Sequence, residues 1–431
     1  MESEFQDIVC TVRICSTNLE SGAHMYKLKK RDLIALASIP LIMTLANSML
    51  IPVLPLMQKK LGISSFQSSL IITTYAAVSI ICIPIAGYLS DRYGRKLIIL
   101  IGLSLATTGG IISALSAWQL EHFAAFYGIL TGRFVQGIGA AGAFPIVIPL
   151  VGDMFDSKEE VSSALGVIET SNTFGKVISP ILGSALTLLI WFLPLAVIPL
   201  ISILSIVMIA IFVNVPKKNN QQQEVTFRSF LHNLRDILRE KGRWLYAIFA
   251  IGGCAMFIMF GILYYLSSIL EDHYKIEGVY KGLLLAIPLS AICLSSYIAG
   301  KVIGTNKNRM KWINVVGTIL LTFSMAVCLL INTKRIFILL MMLTINGVGI
   351  GLILPCLDAL ITEGIQKEQR GTVTSLYSSM RFIGVAAGPL VASLLLDKGR
   401  IMYSIFTGIG LVCCLIALFA IKSGKIEREV K

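Results

Sequence analysis

One apolar stretch of the chain carries polar side chains at helical spacing. Glu169, Asn172, Thr173 and Lys176 follow one another at intervals of three, one and three residues. This spacing stacks them along one side of an α-helix. A carboxylate inside an apolar segment has no packing role, but it can gain and lose a proton. The pattern therefore predicts proton-coupling chemistry at Glu169, with the other three side chains lining a polar cavity.

Two further cations lie well inside apolar segments, Arg133 and Arg381. A charge at such a depth costs about 3 kcal/mol unless it finds a partner or water. We expect Arg133 to tune the protonation of a nearby acid, the alternative being a structural guanidinium that binds backbone carbonyls. We expect Arg381 to face the cavity, the alternative being a fixed ion pair with Glu169.

The composition places these groups in a membrane and excludes a soluble enzyme. Of 431 residues, 55% are hydrophobic and 14% are charged, whereas soluble domains carry about 25% charged residues. The apolar residues form runs that are each long enough to cross a bilayer as a helix. We therefore expect an all-α membrane protein. Its twelve predicted transmembrane helices are 33–57, 67–90, 97–117, 124–152, 163–187, 191–214, 244–269, 280–303, 312–332, 336–362, 372–396 and 402–421.

The basic residues predict the orientation of these helices. The net charge is +13, and with both termini inside, 25 Lys and Arg residues lie on the inner side against 8 in outer loops. Such a bias marks the cytoplasmic side. We expect a multi-pass protein of a bacterial cell membrane with both termini cytoplasmic and without a nucleic-acid partner. The eight outer cations are Lys59, Lys60, Lys275, Lys281, Lys334, Arg335, Lys398 and Arg400.

A long polar stretch divides the helices into two sets of six. The predicted organisation is an N-terminal cytoplasmic segment over 1–32, six-helix halves over 33–214 and 244–421, a linker over 215–243 and a tail over 422–431. Within the linker, apolar residues on one helical face predict an amphipathic helix at the membrane surface. Short motifs recur between the halves. Two repeated halves place a substrate site near the middle of the membrane, between them.

The loop after the second span is dense in glycine and charge. It reads Gly87-Tyr88-Leu89-Ser90-Asp91-Arg92-Tyr93-Gly94-Arg95-Lys96. Glycines permit a tight turn between two helices, and the charges can form a network with helix ends. The loop resembles the signature loop of the major facilitator superfamily. That resemblance implies a gate in which Asp91 and Arg95 join an acid at the end of the fourth span, here Asp153, and lock the outward-open state. Gly87, Arg92, Gly94 and Lys96 complete this gating motif.

Two more segments resemble motifs of proton-coupled members of the superfamily. The run Arg133-Phe134-Val135-Gln136-Gly137-Ile138-Gly139-Ala140-Ala141 resembles the second motif of the superfamily. The fifth span resembles the signature of drug–proton antiporters, although Ser179 and Ser184 stand where glycines are usual. The resemblance implies export and a closely packed helix seam that limits leak. The residues of this antiporter motif are Gly166, Gly175, Ser179, Pro180 and Gly183.

The charges inside the spans bear on the cargo. Three cations stand against one carboxylate, which favours anionic or zwitterionic cargo. In the first span we expect Asn47 to face the cavity, where a pump for lipophilic cations would use an acid. We interpret the chain as a proton antiporter that exports amphipathic small molecules by alternating access. The alternatives are a dedicated exporter of an anionic metabolite such as a siderophore, a lipid flippase and a non-transporting sensor.

Features of enzymes are missing from the sequence. It contains no nucleotide-binding loop and no helix-borne HExxH motif, and its four histidines all fall outside the predicted spans. We therefore expect no enzymatic activity, no cofactor and no bound metal, with transport driven by an ion gradient. The expected partners are a small-molecule substrate, protons and the lipid bilayer, and the expected state is a monomer.

Overall fold

The computed structural model describes residues 31–154, 158–213, 239, 242–303, 306–331, 335–365 and 367–421. Within these ranges the chain is almost entirely helical and contains no strand. Twelve long helices are present, which confirms the predicted all-α architecture. They are α1 Arg31–Leu61, α2 Ser65–Tyr93, α3 Arg95–Gln119, α4 His122–Met154, α5 Lys158–Thr187, α6 Leu193–Phe212, α7 Gly242–Asp272, α8 Gly278–Ile303, α9 Lys307–Ile331, α10 Ile336–Gly364, α11 Lys367–Leu394 and α12 Gly399–Phe419.

Ten of these helices are long and apolar enough to cross a membrane, counted over the described residues. The other two are α5 and α11, the helices that carry Lys176 and Arg381. Their polar side chains lower the hydropathy of both helices. Both pack against helices of the opposite half, so protein surrounds side chains that lipid would not tolerate.

The two six-helix halves meet through two helix pairs. α2 packs along α11, and α5 packs along α8. Hydrogen bonds cross the first pair at several heights: Thr73 Oγ1 donates to the carbonyl of Ala386 (2.8 Å), and Ser379 Oγ donates to that of Ile80 (3.3 Å). In the second pair, a Cβ placed on Gly282 would lie 2.5 Å from the carbonyl oxygen of Pro180. These pairs hold the halves together over most of the membrane thickness.

An even number of crossings puts the start of α1 and the end of α12 on the same side of the bundle. We name this the terminal side and the opposite one the distal side. The described residues leave out the C-terminal tail and nearly all of the predicted N-terminal segment and of the linker with its amphipathic helix. The second half begins at Gly242, two residues before the predicted boundary.

The antiporter motif packs α5 against α1, but over a shorter length than predicted. A Cβ on Gly183 would collide with the carbonyl oxygen of Met49, and one on Gly175 would lie 3.2 Å from the side chain of Leu41. A Cβ on Gly166 would meet no atom of the described residues within 4 Å. The expectation of close packing is therefore wrong at Gly166 within the described part of the chain, which brings no other helix against that turn of α5.

We expect Gly183→Ala to destabilise the protein by about 1–3 kcal/mol, because the added methyl group forces α1 and α5 apart. Thermal unfolding of the purified protein in detergent measures the change. Gly166→Ala is the matched control, and it should keep or slightly raise the stability, since alanine favours a helix over glycine. Equal losses of stability in Gly183→Ala and Gly166→Ala would contradict a close α1–α5 contact that is confined to the part of α5 after Gly166.

Candidate functional site

Four charged side chains from α5, α10 and α11 form a group between the halves, which we name the central cluster: Glu169, Lys176, Asp358 and Arg381. Arg381 Nη1 lies 3.8 Å from Asp358 Oδ1. Lys176 and Asp358 each interact electrostatically with the other three members. The side chain of Asp358 is 38% exposed, so the cluster borders a space that solvent can reach.

The central cluster corrects the predicted charge surplus of the cavity. Two cations face two carboxylates, because Asp358 joins the group and Arg133 lies elsewhere. In the sequence, Asp358 stands near the end of its span and gives no sign of a partner on α11. The partner that the sequence suggested for Arg381 was Glu169, but the ion pair that the structure forms is with Asp358.

Glu169 is half-buried and is held by a neighbour on its own helix. Asn172 Nδ2 donates to both carboxylate oxygens of Glu169, at 3.2 and 3.3 Å. Asn172 Oδ1 in turn accepts a 2.5 Å hydrogen bond from Thr44 Oγ1 of α1. The Thr173 hydroxyl donates to the backbone carbonyl of Glu169 (2.9 Å). Asn172 thus orients the carboxylate, whereas the Thr173 hydroxyl donates its hydrogen bond to the backbone of its own helix.

Lys176 borders a narrow pocket between the halves, on the distal side of the central cluster. Its side chain is 6% exposed, and its Nζ has no hydrogen-bond partner among the described residues. Helices α1 and α5 supply one wall of the pocket, and α7 and α8 supply the other. The lining residues are Ser48, Ile51, Pro52, Lys176, Pro180, Met259, Leu263, Leu285 and Leu289.

Arg133 lies in the interior of the first half, away from the central cluster. It is fully buried and donates to the carbonyls of Ile71 (2.9 Å) and Ala46 (3.0 Å). Its Nη2 also donates to Asn47 Oδ1 (2.8 Å), and its guanidinium lies 4.4 Å from the ring centre of Tyr75.

These contacts match the alternative role of Arg133, a structural guanidinium that binds backbone carbonyls. No carboxylate of the described residues forms an ion pair with it. Asn47, which we expected in the cavity, has its side-chain oxygen engaged by Arg133 and is not among the residues that line the Lys176 pocket.

The gating motif assembles on the terminal side. Arg95 Nη1 lies 2.7 Å from Asp153 Oδ2, and Arg95 Nη2 lies 3.5 Å from Asp91 Oδ1. Arg95 also donates to the carbonyl of Pro149 in α4. The structure therefore brings together the three residues that the resemblance grouped, all of them in the first half.

The other motif residues support this arrangement. Gly94 has a φ of +98°, which favours glycine, and so permits the abrupt turn from α2 into α3. Lys96 Nζ donates to the carbonyl of Ala210 at the end of α6 (3.2 Å), and Arg92 Nη1 donates to Tyr88 (3.3 Å). Gly87 lies against α11, where an added Cβ would be 3.2 Å from Ser375 Oγ.

A second ion cluster, which we did not predict from the sequence, lies on the distal side. Glu271 Oε1 lies 2.7 Å from Lys59 Nζ, and Glu271 Oε2 lies 2.7 Å from Lys281 Nζ. Lys281 Nζ also donates to the carbonyl of Pro52 (2.7 Å). We name Lys59, Glu271 and Lys281 the distal cluster.

The structure changes the interpretation of two of these residues. We counted Lys59 and Lys281 as outer-loop charges, but Lys281 is 2% exposed inside α8 and Lys59 bonds a buried carboxylate. Neighbouring hydrogen bonds join the same helix ends: Tyr264 donates to the carbonyl of Ser65 (2.9 Å), and Ser267 donates to that of Ile51 (3.1 Å). The one signal available in the sequence was that Lys281 lies one residue inside its predicted span, 280–303.

Known sequences resemble the chain along nearly its whole length. The model of the Major Facilitator Superfamily matches residues 36–389 and 315–430. A bacillibactin exporter of Bacillus subtilis (strain 168) is 49% identical over 401 residues, which cover 93% of this chain and 98% of that protein. Multidrug resistance protein 2 of the same organism is 24% identical over 367 residues, which cover 82% and 86%.

Solved structures show the same fold. The human organic anion transporter MFSD10 (TETRAN) superposes with a TM-score of 0.72 at 21% identity, over 90% of this chain and 99% of that one. A bacterial homologue of the human lysosomal transporter Spinster, in an inward-facing and occupied conformation, gives a TM-score of 0.68 at 14% identity, over 91% and 96%. The chain is thus a multi-pass membrane transporter and not an enzyme, and it belongs to the major facilitator superfamily.

Proposed function

We propose that this transporter exports a siderophore of the bacillibactin kind. The observation that carries the proposal is the 49% identity to a bacillibactin exporter along 98% of that protein. It favours the dedicated exporter over the broader export of amphipathic molecules that we preferred from the sequence. Lys176 lines the pocket as its charged residue, and this positive charge suits a cargo with anionic groups.

We further propose that export is driven by proton antiport through Glu169. The carboxylate is half-buried, it belongs to the central cluster, and it shares α5 with Lys176. A group in this place can bind a proton from one side of the membrane and release it to the other as the two halves rock. Asp91, Arg95 and Asp153 are proposed to strengthen terminal-side closure in the outward-open state.

Inside-out membrane vesicles with an acidic interior test both proposals at once. Addition of bacillibactin should cause its accumulation inside and the release of interior protons, and a protonophore should stop both. Lipophilic cations such as ethidium should cause neither. Accumulation of bacillibactin without proton release would refute the coupling and leave the cargo standing.

Multidrug export is the second candidate, and the 24% identity to Multidrug resistance protein 2 is the observation that favours it. The same vesicles separate the two functions. Proton release by several unrelated cations, with no response to bacillibactin, would replace the siderophore proposal by multidrug antiport.

A further inference from the structure

Lys176 presents a buried ammonium group without an acceptor. Its Nζ makes no hydrogen bond to the described residues, and its side chain is 6% exposed. A buried charge without hydrogen bonds costs several kcal/mol. The members of the central cluster act on Lys176 through electrostatic interaction, which does not satisfy its three N–H donors. The missing acceptor is therefore expected from something that enters the pocket.

Apart from Ser48, the residues that line the pocket around this ammonium are apolar. Ile51 of α1 and Pro180 of α5 face Met259 and Leu263 of α7 and Leu285 of α8. Lys176 is the charged residue of the lining. One positive charge set in hydrocarbon and thioether surface suits a ligand that combines one anionic oxygen with a flat apolar body.

We propose that Lys176 binds an anionic oxygen carried on an aromatic ring, as in an aromatic carboxylate or a phenolate. An ammonium is a point charge that a single such oxygen satisfies. The ring then packs between Met259 and Leu285. The inference rests on the proposed export function and deepens it, because it names the chemical group by which the cargo is held.

Binding of two matched probes to the purified full chain in nanodiscs tests the site. The probes are benzoate and its neutral amide, benzamide, which has no ionisable hydroxyl group. Wild type should prefer the anion, and Lys176→Gln should weaken anion binding about tenfold or more while amide binding stays within about twofold, since a charged hydrogen bond is lost. Lys176→Arg should keep most of the preference.

Lys301→Gln is the control for loss of one positive charge, because Lys301 lies exposed at the terminal end of α8, and it should leave both affinities unchanged. Equal anion binding by wild type and Lys176→Gln would overturn the inference. Equal loss of both probes would also overturn it, since that result indicates a damaged pocket rather than a lost charge contact.

Failure of the export proposal gives a different result. Lys176-dependent binding of the benzoate, with no transport of bacillibactin by wild type, would leave the anion site standing and refute the siderophore cargo. Transport of bacillibactin with an unchanged KM in Lys176→Gln would refute the site and leave the cargo standing.

The distal cluster carries a second, independent inference. Lys59 and Pro52 belong to the first half, whereas Glu271 and Lys281 belong to the second. The bonds from Lys59 to Glu271 and from Lys281 to the Pro52 carbonyl therefore cross between the halves, while the Glu271–Lys281 pair lies within one. If the halves part on this side, the two crossing bonds break and the buried pair survives.

We infer that the distal cluster is the gate through which the pocket opens to the distal side. Pro52 lines the pocket, and its carbonyl accepts the Lys281 hydrogen bond, so this bond lies at the boundary of the pocket. Because Glu271 keeps Lys281 as its partner, opening leaves neither of these two buried charges unpaired, and Lys59 is already half-exposed.

Hydrogen–deuterium exchange of the full chain in nanodiscs tests the gate. In Glu271→Gln two lysines face each other without a carboxylate, so peptides at the distal ends of α1, α7 and α8 should exchange about tenfold faster, the factor that 1.4 kcal/mol produces. Terminal-side peptides should not change. Glu277→Gln is the control, because this exposed carboxylate lies 3.6 Å from Lys59.

Unchanged distal exchange in Glu271→Gln would overturn the gate. Faster exchange on both sides would do the same, because it reports general destabilisation. Lys59→Gln adds a second variant: it removes one crossing bond and leaves the buried pair, so it should accelerate distal exchange by a smaller factor than Glu271→Gln.

Discussion

Replacement of Glu169 by glutamine is expected to abolish proton-coupled export while the protein remains folded. Glutamine has the same shape, and its side-chain oxygen can still accept a hydrogen bond from Asn172, which in the wild type lies 3.2 Å from Glu169 Oε1. It cannot take up or release a proton. Proton release in inside-out vesicles on addition of bacillibactin should therefore fall to background, and thermal unfolding in detergent should stay close to that of the wild type.

The matched control is Glu121→Gln, which removes an exposed carboxylate just before α4. It should export at the wild-type rate. Full proton release by Glu169→Gln would show that the proton is exchanged elsewhere. Asp358 would then be the next residue to replace, as the other carboxylate of the central cluster.

The second large effect concerns stability rather than coupling. Arg133→Met should destabilise the protein by about 4 kcal/mol. Methionine fills most of the same volume, but Asn47 Oδ1 and Gln136 Oε1 both lose the donor that Arg133 supplies. A buried polar atom without a partner costs about 1–3 kcal/mol, and the carbonyls of Ile71 and Ala46 lose their contacts as well. Thermal unfolding in detergent measures the loss.

Arg400→Met is the control for this substitution, because Arg400 is exposed at the start of α12, and it should cost less than about 0.5 kcal/mol. The two interpretations of Arg133 predict opposite patterns. Wild-type stability together with lost proton release in Arg133→Met would contradict the structural role and restore the proposal that this guanidinium tunes a titrating acid.

Features that depend on neighbouring residues in the sequence could be predicted. Twelve helices followed from twelve apolar runs, since each run must satisfy its own backbone in the membrane. The three-residue interval placed Asn172 and Glu169 on one side of the same helix, and the structure shows them hydrogen-bonded there. Asp91 and Arg95 are four residues apart and meet at a helix turn. Asp153 joined them through the family resemblance, because nothing in the sequence itself relates the end of α4 to this loop.

Features that depend on how helices pack could not be predicted. The partner of Arg381 is Asp358 on another helix, and the contact depends on the rotation of α10 and α11 about their axes. In the sequence, Lys281 looks like a loop charge. The contacts that bury it come from other helices, namely from Glu271 and from the Pro52 carbonyl of α1. Gly166 fits the motif spacing, yet it lies beyond the length over which α5 touches α1.

The low hydropathy of α5 and α11 has a consequence for how the protein is made. The other ten helices are long and apolar enough to cross a membrane, whereas these two bring charges that lipid disfavours. Helix α8, which packs against α5, is synthesised later, as part of the second half, and α11 packs mainly against α2 and α7. During translation, we therefore expect α5 to stay at the insertion machinery or beside α1 until α8 is made. If the first half is released alone, we expect membrane proteases to degrade it. We then expect the first half to become resistant to these proteases once the second half is complete.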